Sequence, residues 1–256
     1  MRHRATAAVH LRLTAHTRTG RRHGVARTLS KLGVASRTVA AGWVLDGRVA
    51  LNGRIVRDPE FPVLQGSDQV TVDGRPVTAS ERVYLLLNKP RGLVTTAADE
   101  QGRDTVYRCF DGAGLPWLAP VGRLDKASEG LLLFSNDPEW AAHLTDPVTG
   151  PEKTYRVQIN TRPAPALLSA LVTGTDQAGE HLAARSARLL QTGEKNAWLE
   201  IVLAEGRNRH IRRLLEAQGV AVLRLLRVAI GGLALGDLPK GQWRRLAASD
   251  LAKVRP

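Results

Sequence analysis

The feature that most constrains this chain is residues 122–137, GRLDKASEGLLLFSND. Residues 131–134 form an apolar run short enough to be one buried strand. The Asn-Asp-Pro at residues 136–138 ends that strand and can start a helix, because Asp caps helices well and Pro suits a first turn. These patterns predict that Asp125 lies on a loop between glycines at the mouth of a sheet, where rigid scaffolds often present catalytic groups. Taken alone, the same letters also fit an ordinary polar turn.

The charge balance indicates the class of partner. The 256 residues include 37 Lys and Arg against 24 Asp and Glu, a net charge of +13. Such an excess favours a polyanion, with nucleic acid ahead of an anionic membrane surface. No apolar run reaches the ~18 residues of a spanning helix, so we expect no membrane partner. The single cysteine, Cys109, excludes a disulfide framework and fits a reducing cytosol, and no Cys or His cluster has metal-ligand spacing.

Residues 1–24 form the most basic stretch of the chain. They carry six arginines, four histidines and no acidic residue, and they lack apolar periodicity. We predict a disordered basic tail that touches phosphates without sequence preference. The alternative is a misplaced start codon that adds non-native residues.

Residues 25–80 predict a small basic domain. The expected order is helix, helix, strand, turn, strand, and Asn52-Gly53 between two short β-prone runs is the strongest local hairpin signal. The stretches LSKLGVASRTVAAGWVLDGRVALNGRIV and DQVTVDG resemble the S4 RNA-binding module. That resemblance implies that the second helix and the following loop lie on structured RNA. The predicted RNA-binding residues here are Lys31, Arg37, Arg48 and Arg54. A protein-binding or purely structural mini-domain is the alternative.

Residues 81–256 carry a second pattern of strands and helices. A strand candidate at residues 84–87 is followed by Asn-Lys-Pro-Arg-Gly, which we interpret as a fixed turn with Lys89 and Arg91 at its tip. Residues 153–159 alternate with period two, as expected of a half-exposed strand. Further along, Ile211, Leu214 and Leu215 are spaced to cover the core face of one helix.

Asp125 and the arginines near residue 209 are the candidate carriers of chemistry. A lone buried carboxylate prefers to be neutral, whereas an arginine within a few ångströms keeps it ionised. An ionised carboxylate near basic surfaces suits nucleophilic or base chemistry on a nucleic acid. A tyrosine on a neighbouring strand can stack on a base that has left its helix.

Five motifs occur in the order of one known family. They are Asn88-Lys89-Pro90-x-Gly92; Gly122-Arg123-Leu124-Asp125 with the Gly130 strand and Asn136-Asp137; Lys153-Thr154-Tyr155; residues 205–213, EGRNRHIRR; and Leu225-x-Arg227 with Leu235-Gly236-x-Leu238-x-x-Gly241. Over residues 26–252 the chain resembles the ribosomal small-subunit pseudouridine synthase A family, which includes large-subunit enzymes with the same S4 arrangement.

The resemblance implies roles for particular residues. Asp125 matches the catalytic aspartate, which attacks the sugar C1′ or assists glycal formation. Tyr155 matches the tyrosine that stacks on the flipped uracil, and Arg212 matches the arginine that pairs with the aspartate. Arg123 matches the residue that fills the space left by the base, and Lys153 supports the site or meets phosphate. Arg209 and Lys89 are further predicted RNA contacts.

The sequence departs from the family pattern at two site positions. His210 stands where Gln is common, so a titrating imidazole there could make activity sensitive to pH. Pro138 replaces the usual glycine after Asn-Asp. The structural alternatives stay open at this point: an ion pair of Asp125 with Arg212, a core aromatic at Tyr155, and general surface charge at Arg123 and Lys153.

These observations predict an α+β protein with three segments. A disordered tail (1–24) precedes an S4-like domain (25–80) and a pseudouridine synthase domain (81–256), whose sheet is mixed but mainly antiparallel around a central cleft. We expect isomerisation of a specific uridine in ribosomal RNA without cofactor or metal. The expected protein is a cytoplasmic monomer whose partner is ribosomal RNA or a pre-ribosomal particle. The alternatives are a tRNA pseudouridine synthase and a non-catalytic S4 ribosome-assembly factor.

Overall fold

The computed structural model describes residues 22–64, 66–97 and 99–254. These residues group into two compact units, one of residues 22–28 and 37–77 and the other of residues 29–36 and 78–254. None of the described helices is long and apolar enough to cross a membrane. Most of the predicted basic tail, residues 1–21, lies outside the described residues.

The smaller unit is built on one helix and two small sheets. Helix α1 (Val25–Lys31) crosses the division between the units, and α2 (Arg37–Leu45) buries Ala40 and Val44 on one face. The strands of this unit are β1 (Arg22–Gly24), β2 (Val49–Leu51), β3 (Arg54–Ile55), β4 (Pro62–Leu64), β5 (Val70–Val72) and β6 (Arg75–Pro76). An antiparallel sheet has the order β3-β2-β5-β6, and β1 pairs with β4.

Two tight hairpins fix the register of the four-stranded sheet. Asn52 and Gly53 have φ values of 50° and 80°, and Asp73 and Gly74 have φ values of 49° and 75°. Two consecutive residues with positive φ form the turn that matches the right-handed twist of paired strands. The Asn52-Gly53 hairpin predicted from the sequence is therefore present.

Strand β1 corrects one boundary of the sequence prediction. Arg22 pairs with Leu64 and Gly24 pairs with Pro62, so residues 22–24 are ordered in a ladder. The prediction of a disordered tail is therefore wrong for its last three residues. The partner strand lies far along the chain, and local composition carries no sign of it.

A nine-stranded sheet forms the larger unit. Its main path is β13-β14-β10-β15-β9-β7-β17, with β8 paired to β9 and β16 paired to β15. The strands of this unit are β7 (Tyr84–Lys89), β8 (Ala119–Val121), β9 (Glu129–Ser135), β10 (Lys153–Ile159), β11 (Thr175–Gln177), β12 (Glu180–Leu182), β13 (Ser186–Thr192), β14 (Ala197–Leu203), β15 (Val222–Ile230), β16 (Leu233–Ala234) and β17 (Trp243–Arg245). Only the β9–β15 pair is parallel among the described pairs of this sheet, which confirms the predicted mixed, mainly antiparallel arrangement.

Helices α3 (Pro138–Thr145), α4 (Pro165–Thr173), α5 (His210–Glu216) and α6 (Ala248–Ala252) accompany the sheet. Asp137 caps α3 as predicted, since its side chain accepts hydrogen bonds from the main chains of Glu139 and Trp140. On α5, Ile211, Leu214 and Leu215 are buried, which confirms the core face predicted from their spacing.

The parallel contact between β9 and β15 depends on a glycine. Gly130 has φ 99°, and a Cβ atom at this position would lie 2.3 Å from the carbonyl oxygen of Arg227. No residue with a side chain fits at that distance, so the strand that follows the Asp125 loop can pack here only through glycine. This contact sets the loop beside the strands that carry the other candidate residues.

Candidate active site

Asp125 lies on a loop that connects β8 to β9. Gly122, at the start of the loop, has φ 73°, a conformation that favours glycine. The Asp125 side chain is exposed, and its carboxylate forms no hydrogen bond or ion pair with the part of the chain that the structure describes. A carboxylate in this state is available to a ligand.

The main chain of this loop is held from several directions. Each carbonyl oxygen of residues 124–128 accepts a hydrogen bond. Thr95 Oγ1 donates to Leu124 (2.7 Å), and the Gly92 amide donates to Lys126 (2.8 Å). Lys89 Nζ donates both to Asp125 (3.2 Å) and to Ser128 (2.9 Å), and the Ser128 amide also donates to Asp125 (2.9 Å). Arg212 Nη2 donates to Ala127 (3.3 Å). The backbone that presents Asp125 is therefore fixed before any ligand binds.

Lys89 is the central donor of this network. Its side chain is fully buried, and its ammonium donates to the carbonyl oxygens of Pro90, Asp125 and Ser128. Burial lowers the pKa of Lys89 from 10.5 to about 8, and the charge of Asp125 opposes that shift. The positive charge thus acts inside the protein, on the backbone of the loop.

Tyr155 lies on strand β10, which pairs with β14 on one side and β15 on the other. Its register partners are Ile201 on β14 and Arg227 on β15. Because opposed residues of paired strands place their side chains on one face, Tyr155 and Arg227 are side-by-side neighbours. Tyr155 is 7% exposed and Arg227 is 5% exposed.

Arg212 supports the Asp125 loop from α5. Besides Ala127, it approaches the carbonyl oxygen of Val222 at 3.5 Å, while its Nε is buried and has no hydrogen-bond partner. Burial lowers the pKa of Arg212, Arg209 lowers it further, and Asp125 raises it. The guanidinium therefore senses the Asp125 charge without forming an ion pair with it.

A cavity of about 440 Å³ is lined by the Asp125 loop, by strand β10 and by the start of helix α5. Asp125, Tyr155, Arg123, Lys153 and Arg209 all line it. This volume is in the range of sites that bind small molecules or single nucleotides. The cavity therefore combines a free carboxylate, an aromatic ring and several cations.

Buried polar side chains also line this cavity, among them those of Ser128, Arg227 and His210. Ser128 Oγ and Arg227 Nη2 are buried without hydrogen-bond partners, although Arg227 Nε donates to the carbonyl oxygen of Leu131. Burial lowers the pKa of His210, which keeps the imidazole neutral at neutral pH. Burial also lowers the pKa of Lys153, and Arg227 adds to that effect.

The described residues contain no group of three or more His, Cys, Asp or Glu side chains that could hold a metal ion. The polar side chains that line the cavity are arginines, a lysine, the carboxylates of Asp125 and Glu205, an amide, an imidazole and hydroxyls. Such a set suits recognition of a sugar, a base and phosphates.

Comparison with known proteins identifies the family. Residues 83–217, more than half of the chain, match the family model described as RNA pseudouridylate synthase, and residues 25–70 match the S4 domain. The chain belongs to the RNA pseudouridylate synthase family. The predicted α+β fold with an N-terminal S4 domain is confirmed.

Individual relatives agree with this assignment. The chain is 36% identical over 232 residues to "Ribosomal large subunit pseudouridine synthase B" of Bacillus subtilis, covering 90% of this chain and 94% of the relative. It is 36% identical over 228 residues to an RNA pseudouridine synthase of Aquifex aeolicus, covering 88% and 91%. A solved structure described as a pseudouridylate synthase superposes with a TM-score of 0.63 at 28% identity, covering 90% of this chain and 99% of that one.

The structure of this synthase brings most of the predicted site residues together. Asp125, Tyr155, Arg123, Lys153 and Arg209 share one cavity. Arg212 lies next to that group but does not form the predicted ion pair with Asp125, because its guanidinium is committed to main-chain carbonyl oxygens. The prediction of a direct pair is wrong for this state of the synthase.

The prediction for Lys89 requires a larger correction. The sequence predicts Lys89 at the tip of a turn, as an RNA-binding residue. Strand β7 continues through Asn88 and Lys89, however, and the ammonium is fully buried. The exposed cation of this turn is Arg91, for which the structure shows no ion pair within the described residues.

The basic residues predicted in the S4 domain differ in their surroundings. Arg37 and Arg54 are exposed. Arg48 donates two hydrogen bonds to Asp73, at 3.0 and 2.6 Å, and its guanidinium lies 5.3 Å from the ring centre of Trp43. Lys31 is half-buried. Arg37 and Arg54 therefore remain the more accessible cations of this predicted surface.

Sequence reasoning assigned no site role to Thr95, and it named Arg227 only as part of a family motif. Thr95 both donates to the carbonyl oxygen of Leu124 and accepts from its amide, and nothing local to residue 95 signals this. Arg227 did carry a signal, because an arginine inside an apolar strand must find partners in the interior.

Proposed function

We propose that this synthase converts a specific uridine of ribosomal RNA to pseudouridine after flipping the base into the cavity of about 440 Å³. The observation that carries the proposal is the free Asp125 carboxylate, held on a fixed backbone in the same cavity as Tyr155. The name of the Bacillus subtilis relative, "Ribosomal large subunit pseudouridine synthase B", supports ribosomal RNA as the substrate class.

The reaction is an isomerisation in which atoms and electrons balance. The bond between N1 of uracil and C1′ of ribose breaks, and N1 keeps its electron pair. The base turns, a bond forms between C5 and C1′, the C5 proton moves to a base, and N1 takes up a proton. Asp125 either attacks C1′ directly or assists formation of a glycal, and both routes use its unpaired carboxylate. A carboxylate that is not consumed by an internal ion pair suits both routes.

Tyr155 is proposed to stack on the flipped uracil. Its ring lies at the buried face of β10 and lines the cavity, so a planar base can pack against it. Removing the base from its helix costs a few kcal/mol of stacking, which contacts with the aromatic ring and the cavity walls offset. The phenol is also within the site that must accept the C5 proton.

The remaining cations are proposed to position RNA around this centre. Arg212 holds the Asp125 loop through its hydrogen bond to the carbonyl oxygen of Ala127. Arg123 is exposed at the cavity, where it can occupy the space that a flipped base leaves in the RNA. Lys153 is buried, senses the charge of Arg227 and supports the wall of the cavity. Arg209 is proposed to bind the backbone of the RNA.

The segments outside the cavity are proposed to supply affinity. RNA binding is assigned to the S4 domain predicted over residues 25–80, through Arg37 and Arg54, and the chemistry is assigned to residues 81–256. We further propose that the enzyme acts as a monomer in the cytoplasm, on ribosomal RNA or a pre-ribosomal particle. A tRNA substrate and a non-catalytic assembly role are the alternatives that the experiment must separate.

The experiment has two arms. Pseudouridine is mapped in ribosomal RNA and tRNA from cells with and without this gene, and tritium release is measured from 5-³H-uridine RNA with the purified protein. Loss of one ribosomal pseudouridine, with release from the matching RNA, is the expected result. Loss of a tRNA pseudouridine instead would reassign the substrate, and unchanged maps with no release would support the assembly role.

A further inference from the structure

A second cavity adjoins the first. It has a volume of about 380 Å³, and its walls include Arg209, Arg212, Glu216 and the apolar residues 220–222. Arg209 lines both cavities, so the two are neighbours. A strand of RNA that places one nucleotide in the first cavity has its neighbouring nucleotide within reach of the second.

The region between the cavities has unbalanced positive charge. The charges of Arg91, Arg209 and Asp125 all act on Arg212, and of these only Asp125 is an anion. Arg91 and Arg209 are exposed and form no ion pair with the residues that the structure describes. Exposed arginines around one carboxylate suit a bound phosphate, because each guanidinium can donate two parallel hydrogen bonds.

The backbone of Arg209 holds this side chain in an unusual place. Its φ and ψ are 52° and 28°, in the left-handed region that residues other than glycine and asparagine rarely adopt. Strain of this kind persists where the surrounding structure requires it, and it clusters at binding sites. Here it sets the guanidinium at the wall shared by the two cavities.

The second cavity also contains an acceptor. The Glu216 carboxylate is exposed and has no hydrogen bond or ion pair to any described residue. A carboxylate accepts two hydrogen bonds from adjacent N–H groups, and an arginine donates two to adjacent acceptors. The apolar floor at residues 220–222 suits the face of a planar ring.

Guanine fits this set of groups better than the other three bases. Its Watson–Crick edge presents the N1–H and N2–H donors side by side, and its other edge presents the O6 and N7 acceptors. Adenine and cytosine each place a ring acceptor beside the amino group, and uracil flanks its N–H with two carbonyl oxygens. A carboxylate repels each of those acceptors.

We propose that the second cavity binds a guanine directly 5′ or 3′ of the target uridine, with Glu216 on its N1–H and N2–H groups and Arg209 at its acceptor edge or the linking phosphate. The proposal rests on the proposed function. It makes Glu216 a residue that determines which sequence context is modified, separate from the residues that act on the uridine.

The test uses hairpin RNAs that carry the mapped target as 5-³H-uridine, with each neighbour changed in turn to the four bases and to inosine. Wild-type kcat/KM is expected to be highest for guanine at one neighbour, by roughly tenfold to a hundredfold. Inosine lacks the N2 amino group and should lose most of that advantage. Glu216→Gln should reduce the preference for guanine over inosine to less than about threefold.

Two further variants sharpen the result. Glu194→Gln changes an exposed glutamate on the β13–β14 turn in the same chemical way and should keep the wild-type ranking. Arg209→Gly removes the guanidinium, and glycine adopts the left-handed conformation without strain. Weaker binding of guanine RNA by this variant would therefore reflect the lost guanidinium and not a strained backbone.

The outcomes separate the two proposals. A wild-type enzyme that is active but ranks all four bases alike at both neighbours would overturn the guanine site and leave the proposed function intact. An unchanged preference for guanine over inosine in Glu216→Gln would also overturn it. A wild-type enzyme that releases no tritium from any hairpin, including the native one, would overturn the proposed function and this inference with it.

Discussion

The ammonium of Lys89 lies 3.2 Å from the main-chain carbonyl oxygen of Asp125, while the carboxylate of the same residue has no partner among the described residues. A buried cation thus fixes the backbone and leaves the reactive group free. Lys89→Met should lower the single-turnover rate by about tenfold to a hundredfold, because small displacements of a catalytic group cost that much. RNA affinity should change little, because Lys89 cannot reach solvent.

A matched control for this prediction lies in the same loop. Lys126 is exposed, and its side chain makes no hydrogen bond or ion pair with the described residues, so Lys126→Met should change the rate by less than about threefold. Rates and dissociation constants are measured on the same RNA. Loss of affinity with a normal rate for Lys89→Met would show that Lys89 serves RNA binding after all.

The pKa of Lys89 predicts a stability effect of defined sign. The folded value of about 8 lies below the unfolded value of 10.5, so between these pH values the unfolded chain binds more protons. Stability from this group therefore rises with pH across that window. Urea unfolding at pH 7.5, 9 and 10 should show wild type gaining stability relative to Lys89→Met as pH increases. A constant or shrinking difference would contradict the assigned pKa.

His210 predicts a loss of stability on the acidic side. Its folded pKa lies below 6.5, lowered mainly by burial and also by Arg207 and Arg213, with Glu205 opposing. The unfolded chain then binds the proton more readily, so the stability from this group is present above pH 6.5 and declines as pH falls through the folded pKa. His210→Gln should lose less thermal stability than wild type between pH 7.5 and 5. Equal losses for the two proteins would mean that His210 does not titrate in this range.

The S4 domain should contribute affinity and not chemistry. Arg37→Ala combined with Arg54→Ala should raise KM and make the salt dependence of RNA binding shallower, by about one unit of log–log slope for each lost phosphate contact. The single-turnover rate at saturating RNA should stay near that of wild type, and saturation matters because lower concentrations mix binding with chemistry.

The control for the S4 variant is Lys195→Ala, an exposed lysine beyond the start of β14. Strand β14 ends at Leu203, which lines the first cavity, and Lys195 lies roughly 20 Å or more from Leu203 along the strand and does not line the cavity itself. This variant should keep the wild-type salt slope. A hundredfold fall in the saturated rate of the Arg37/Arg54 variant would show instead that the S4 domain helps to assemble the active site.

Local patterns predicted much of this fold because the signals lie within a few residues. The Asn52-Gly53 hairpin follows from two residues that tolerate positive φ, and the core face of α5 follows from the spacing of Ile211 and Leu214. Strand β1 was missed because its partner, β4, is remote in sequence. No pattern of neighbouring letters encodes a ladder between such distant segments.

The site was predicted less completely for a related reason. Asp125 and Tyr155 each occupy a defined position in a family motif, so the sequence alone could single them out. The fold brings both to one cavity. The position of Lys89 depends on whether β7 ends before or after Asn88, and Asn88 is held there by a hydrogen bond to the distant carbonyl oxygen of Leu238. The partner of Arg212 depends on its rotamer, which packing decides.

The most direct test of the account is Asp125→Asn, assayed by tritium release from 5-³H-uridine RNA under single-turnover conditions with the RNA saturating. The change keeps the shape of the side chain and removes only the carboxylate. The account predicts that release is abolished while the dissociation constant for RNA stays within about threefold of wild type. A release rate within a few-fold of wild type would contradict the central role assigned to Asp125.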